Sequence, residues 1–116
     1  MEKYNINDFR RGWFIGNFEP SLLKSNFEVG LQKSKAGDSH DDHFHKKNTE
    51  YNLVVSGKIK INDDVFVKDD VFIIKPYTVS HGVEYLEDTE ILVVRDMSDP
   101  LDKYIYKLIN DEDLQG

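Results

Sequence analysis

Residues 40–57, HDDHFHKKNTEYNLVVSG, carry three of the chain's four histidines and run straight into an apolar segment. His43 and His45 are separated by one residue. On an extended segment both imidazoles therefore leave the same face and can reach one ion. Glu50 follows five residues after His45, and that odd spacing on one uninterrupted strand would send it to the opposite face. A turn or bulge has to intervene if Glu50 is to join the histidines, and KKNT at 46–49 is suitable material for one. Beyond it, EYNLVVS reads as a strand closed by Gly57.

The same kind of segment recurs on both sides. Upstream, Phe27, Val29 and Leu31 alternate with Glu28, Gly30 and Gln32, the period of a half-buried strand over 25–33. Downstream, 58–61, 65–67, 71–74, 81–85 and 89–94 are short and rich in Val, Ile, Phe and Tyr, with turn signals SGK, INDDV, KDD, KPYT and LED between them. Many short strands at close spacing, with no long helical period before residue 99, predict an all-β fold, an antiparallel sandwich or barrel.

The predicted organisation is a single domain, with an N-terminal edge segment at 1–24, a barrel core at 25–98 and a tail at 99–116. RGWFIGNFEP at 11–20 reads as an edge strand and turn covering the barrel, or as a lip of a pocket or a subunit contact. The tail reads two ways. Asp99-Pro100 can open a short helix with Leu101, Ile105 and Leu108 on one side, whereas Tyr104 and Tyr106 alternate like a strand.

Composition narrows the function classes. A formal charge of −7 repels phosphate backbones and anionic membrane surfaces, and the only basic pairs are Arg10-Arg11 and Lys46-Lys47, so neither nucleic acid nor membrane is an expected partner. The absence of cysteine removes disulfides, thiolate nucleophiles and cysteine-held metals together, leaving nitrogen and oxygen ligands. Apolar runs such as VFII and ILVV are too short to span a bilayer, and MEKYNINDF is too polar for a secretory leader, so a cytoplasmic protein is expected.

The full spacing of the opening stretch is Gly37, five residues, His43, one, His45, four, Glu50, six, Gly57. That string resembles the first motif of the cupins, and a second motif should follow it. DVFIIKPYTVSH supplies Pro76 and His81 at the required separation, while Asp70 and Thr78 stand where the motif has Gly and Tyr85 where it has Asn. The resemblance covers roughly residues 27 to 95, and it is to a small single-domain cupin of the RmlC-like superfamily. It implies a double-stranded β-helix, a jelly-roll barrel, with His43, His45, Glu50 and His81 as the ligands of a divalent transition metal. Three imidazoles and one carboxylate suit such an ion; Fe(II) or Mn(II) is placed ahead of Zn(II) or Ni(II).

His40 is expected to be a solvated loop residue outside that set, with a role as a ligand or as a donor to one as the alternative, and Asp41 and Asp42 to be turn formers or solvating groups. Asn52 and Val54 share the parity of Glu50 and are candidates for the cavity wall, whereas Tyr51 falls on the other face. Tyr77 and Tyr85 flank His81 and are candidates to orient a ligand or act as an acid, with packing as the alternative. The implied activity is that of a small metalloenzyme, a dioxygenase or an isomerase or epimerase acting on a sugar or organic acid. Two alternatives stand beside it: a non-catalytic cupin that binds a carbohydrate or organic acid, and a metal-free sugar-nucleotide isomerase. A homodimer paired through edge strands is expected.

Overall fold

The computed structural model describes residues 1–106. Two 3₁₀ turns, Ile6–Asp8 and Arg10–Gly12, lead into β1 (Trp13–Ile15). The chain continues through β2 (Glu28–Ser34), β3 (His43–Phe44), β4 (Glu50–Ser56), β5 (Lys58–Ile61), β6 (Asp64–Val67), β7 (Val71–Ile74), β8 (Glu84–Tyr85), β9 (Thr89–Arg95) and β10 (Tyr104–Ile105). All strand pairings are antiparallel. A five-stranded sheet runs β1-β2-β9-β4-β7, a three-stranded sheet runs β6-β5-β8, and β10 pairs with β3. The all-β expectation is met, and no helix among the described residues is long and apolar enough to cross a membrane.

Local chemistry accounts for the turns. Ile61 pairs with Asp64, so Asn62 and Asp63 form a two-residue loop, and both have positive φ (53° and 68°). That is the backbone of a type I′ hairpin, which Asn and Asp tolerate better than most residues. In the KDD turn, the Asp70 carboxylate accepts the Val67 N–H at 2.8 Å. The core lies between the two larger sheets: Val54, Phe72, Ile91 and Val93 from one, Ile59, Ile61 and Tyr85 from the other, and Val83 beside them. Stacked Phe66 and Phe72 rings, with centroids 4.3 Å apart, tie the sheets together.

The tail resolves in favour of the strand. Tyr104 pairs with Phe44 and Ile105 with His43, and Tyr104 stacks on Phe44 with centroids 5.5 Å apart. No helix forms over 99–106; the rest of the helical reading, from residue 107 on, lies outside the described residues. At the other end β1 is an edge strand, and its Trp13 lies over Gly30, where any side chain would collide with the indole.

Candidate functional site

One face of the five-stranded sheet closes over a cavity of about 680 Å³, within the roughly 300–1,000 Å³ of small-molecule sites. His40, His43, His45, Glu50, Asn52, Ser80, Tyr85 and Arg95 all line it. His43 opens β3, and His45 follows it, buried at 5% exposure. The extended backbone here is held by reciprocal bonds between His43 and Ser80 (N–H to O, 3.2 and 2.8 Å) and by the Tyr77 N–H on the His45 carbonyl at 2.7 Å.

Each of these two imidazoles is anchored through Nδ1. His43 Nδ1 donates to the Asp41 carbonyl at 2.9 Å, and His45 Nδ1 donates to the Asp102 carbonyl. A ring that donates from Nδ1 carries its lone pair on Nε2, which is how histidine is prepared to ligate a metal. His45 Nε2 is buried and has no hydrogen-bond partner among the described residues. Burial pushes the His43 pKa below the ordinary imidazole value, with nearby Lys103 and His45 adding to the effect and the bond to Asp41 opposing it. The ring is therefore neutral at pH 7, the state that coordinates.

The turn required between His45 and Glu50 is present, and a distant residue builds it. The Asp102 carboxylate, 2% exposed, accepts the N–H groups of Lys46, Lys47 and Asn48 at 2.8, 3.0 and 3.0 Å and the Asn48 side-chain amide at 2.9 Å. Burial acts to raise the Asp102 pKa, but those donors and the His45 imidazole outweigh it and hold the carboxyl below the usual carboxylate range. Asp102 thus shapes the turn with its side chain and fixes the His45 tautomer with its carbonyl. No sequence signal links a tail aspartate to a turn more than fifty residues upstream.

Glu50 opens β4 opposite Arg95 of β9, and Arg95 lies opposite Glu28 of β2. This cross-strand row becomes a half-buried ion-pair ladder: Arg95 Nε donates to Glu50 Oε2 at 2.9 Å and Arg95 Nη1 to Glu28 Oε1 at 3.2 Å. The guanidinium also sits 4.7 Å from the Trp13 ring centroid. Two carboxylates against one guanidinium leave a net negative charge on the wall, which favours a cation in the cavity. Asn52, one inward position along from Glu50, lines the cavity with its Nδ2 unpartnered among the described residues, whereas Val54 is wholly buried in the core.

The four residues assigned by motif are not all brought together. His43, His45 and Glu50 share the cavity; His81 is exposed and is not among the lining residues. Its N–H and carbonyl are both taken by Asn62, at 2.8 and 3.0 Å, and it is the preceding Ser80 that faces in. His40, expected in solvent, lies in the lining instead, with Nε2 2.9 Å from the Tyr85 hydroxyl. Of the two tyrosines, Tyr85 is buried in the cavity wall, and burial pushes its phenol pKa up. Tyr77 is 67% exposed and stacks on Phe44.

The donor chemistry of His43, His45 and Glu50 fits a divalent transition ion: two imidazoles anchored at Nδ1 to backbone carbonyls and a carboxylate oriented by Arg95 through one oxygen. As they stand, no three His, Asp or Glu side chains among the described residues are gathered closely enough to hold one.

No family profile matches the sequence, and no curated protein does. Solved structures do. A Klebsiella pneumoniae protein with a double-stranded β-helix domain superposes with a TM-score of 0.64 at 18% identity, covering 91% of this chain and 92% of that one. A sugar phosphate isomerase of the cupin superfamily from Silicibacter pomeroyi gives 0.57 at 19% identity over 73% of this chain, which spans 59% of that protein's length. Oxalate decarboxylase from Bacillus subtilis gives 0.57 at 22% identity, over 69% of this chain and 24% of that one. At these identities the likeness is one of fold.

Proposed function

The chain is a small cupin by fold, and we propose that its cavity holds a divalent transition ion on His43, His45 and Glu50 and presents it to a small oxygen-rich metabolite for isomerisation or epimerisation. The observation that carries this reading is the matched preparation of the two imidazoles. Each is tied at Nδ1 to a backbone carbonyl, and one of the free Nε2 atoms is buried without a partner. An unpaired buried acceptor costs free energy, and a ligand ion offsets that cost. The bound ion would supply Lewis acidity toward a carbonyl or hydroxyl oxygen.

The chain's own groups favour a sugar or organic acid. The unpartnered Asn52 amide donates to a ligand oxygen, and the Tyr85 phenol, kept protonated by burial, is a second donor and the candidate general acid. A second reading, capture of the same ligand class without turnover, is favoured by the engagement of Glu50 with Arg95 and by the open spacing of the donors. The metal-free sugar-nucleotide isomerase reading has no comparable support, because it gives no role to the bare His45 Nε2.

Elemental analysis of protein purified without added metal, and again after reconstitution with Fe(II), Mn(II), Zn(II) or Ni(II), tests the site. About one equivalent is expected, falling sharply in His45→Ala; less than about one-tenth of an equivalent under all conditions overturns the metal reading. An isomerase screen with ketosugars, run beside oxygen uptake with organic acids, then separates the classes. Turnover of a sugar supports an isomerase or epimerase, oxygen uptake replaces it with a dioxygenase, and metal-dependent binding without turnover replaces it with a binding module.

A further inference from the structure

Strand register sorts the cavity face of the five-stranded sheet into rows. Glu28, Arg95, Glu50 and Ile74 lie side by side across β2, β9, β4 and β7. The next row along is Gly30, Val93, Asn52 and Phe72, with the Trp13 ring over Gly30, and the row after that brings Ile91 beside Val54 in the core. From row to row the wall passes from charge to hydrocarbon. Asn52 is the only polar side chain of the second row; it is 3% exposed, with Nδ2 buried and unpartnered among the described residues. Ile59 and Ile61 of the facing sheet line the same cavity and add no polar group.

A buried amide donor without a partner costs free energy, and the groups that could relieve that cost differ in what they demand. A trapped water needs about two to four polar partners, and Val93 and Phe72 beside Asn52 offer it none. An anionic group needs a cation. Arg95, one row away, already commits Nε to Glu50 and Nη1 to Glu28, and the other cations of the lining, Arg10, Arg11 and Lys103, are exposed, at the cavity's opening. A carboxylate beside Asn52 would therefore be buried without a counter-charge, at far greater cost than a carbonyl that accepts one hydrogen bond. A neutral acceptor oxygen flanked by C–H groups suits both the amide and the hydrocarbon around it. A few placed polar groups in an otherwise apolar wall are what orient small ligands.

We infer that Asn52 marks the inner end of the ligand site and that it takes the ligand neutral end first. A carbonyl-type oxygen accepts from the amide, while any carboxylate or phosphate stays outward by the exposed cations. The inference rests on reading the cavity as a small-ligand site, needs no ion, and selects within the proposed class. Sugars and other neutral carbonyl compounds present such an end; short acids, which must place a carboxylate there, do not.

Cyclohexanone and cyclohexanecarboxylate share a ring and differ in the head group, so at millimolar concentration they test that end. Proton–nitrogen NMR of the isotope-labelled full-length protein follows them at two places. One is the Asn52 side-chain amide, assigned by its disappearance in Asn52→Leu; the other is the indole of Trp13, the chain's only tryptophan, which also lines the cavity. Cyclohexanone is expected to shift both signals, and the carboxylate to leave the amide unmoved. Loss of one net hydrogen bond corresponds to an affinity change of about 2- to 13-fold, so Asn52→Leu should weaken cyclohexanone binding within that range. Equal shifts of the amide by both compounds, a ketone that moves the indole but not the amide, or an undiminished ketone affinity in Asn52→Leu overturns the inference and leaves the small-ligand reading standing. No shift of either signal by either compound overturns both. Should Asn52→Leu fail to fold, the parent's own shifts decide, with the amide assigned by through-bond correlation.

Discussion

Asp102 ties the tail to His45 and to the turn between His45 and Glu50 through five contacts, four to its carboxylate and one to its carbonyl. Asp102→Ala strips a charged acceptor from three backbone N–H groups and a buried amide. At about 1–3 kcal/mol for a strongly bonded or orphaned buried group, shared among neighbours that can partly rehydrate, a loss of about 3 kcal/mol is expected in urea unfolding. The pH dependence follows from its lowered pKa. A carboxyl depressed on folding contributes stability that is present above the unfolded value, about 3.9, and is lost as pH falls through the folded value. The parent protein should therefore weaken below about pH 4, and Asp102→Asn, which cannot ionise, should flatten that limb of the stability–pH curve. A limb of unchanged slope would remove Asp102 from the account. Under the proposed function, Tyr85→Phe should lower turnover about 100-fold or more, the ordinary scale of a general acid, whereas exposed Tyr77→Phe should leave it unchanged.

Strand by strand, the sequence is informative where alternation is uninterrupted and silent where partners come from afar. Glu50–Ser56, Lys58–Ile61 and Val71–Ile74 coincide with their expected limits because turn residues bracket them. The 81–85 segment shrinks to Glu84–Tyr85 because Gly82 and the Asn62 clamp divert its first half, which is also why the placement of His81 was not legible. The sequence offered an extended reading across His43–His45 and a strand-like alternation of Tyr104 and Tyr106, but nothing in it pairs the two segments, and two-residue strands exist only by pairing with each other. Gly57 shows what the motif glycine is for. Its φ is 93°, and a Cβ would strike the Asp88 carbonyl and the Thr89 hydroxyl. Gly57→Ala should lose at least about 1–2 kcal/mol from backbone conformation alone, with the collision adding to it. Equilibrium denaturation checks this, and a neutral result would mean that the β4–β5 link reshapes freely.

The five-stranded sheet is unusual for a lone molecule because its outer face is as apolar as its inner one. Ile73, Tyr51, Val94, Val29 and Ile15 form one cross-strand row, and Val71, Leu53, Leu92 and Leu31 the next, bounded by the exposed Lys33–Glu90 ion pair. Val71 is 66% and Ile73 54% exposed. Five strands at about 4.8 Å spacing make a patch about 20 Å across, and contiguous apolar patches beyond a few hundred Å² mark association sites. We propose a second copy of this chain as the occupant, docked face to face. Two copies each carrying −7 repel at long range, so an apolar contact between them should tighten as salt screens that repulsion, whereas a contact made of ion pairs should loosen. Sedimentation velocity should show a dimer at micromolar concentration that strengthens from 50 to 500 mM NaCl and dissociates in Leu53→Glu and Ile73→Glu. A monomer at all salt concentrations, or a dimer indifferent to both substitutions, would leave this face without its proposed partner.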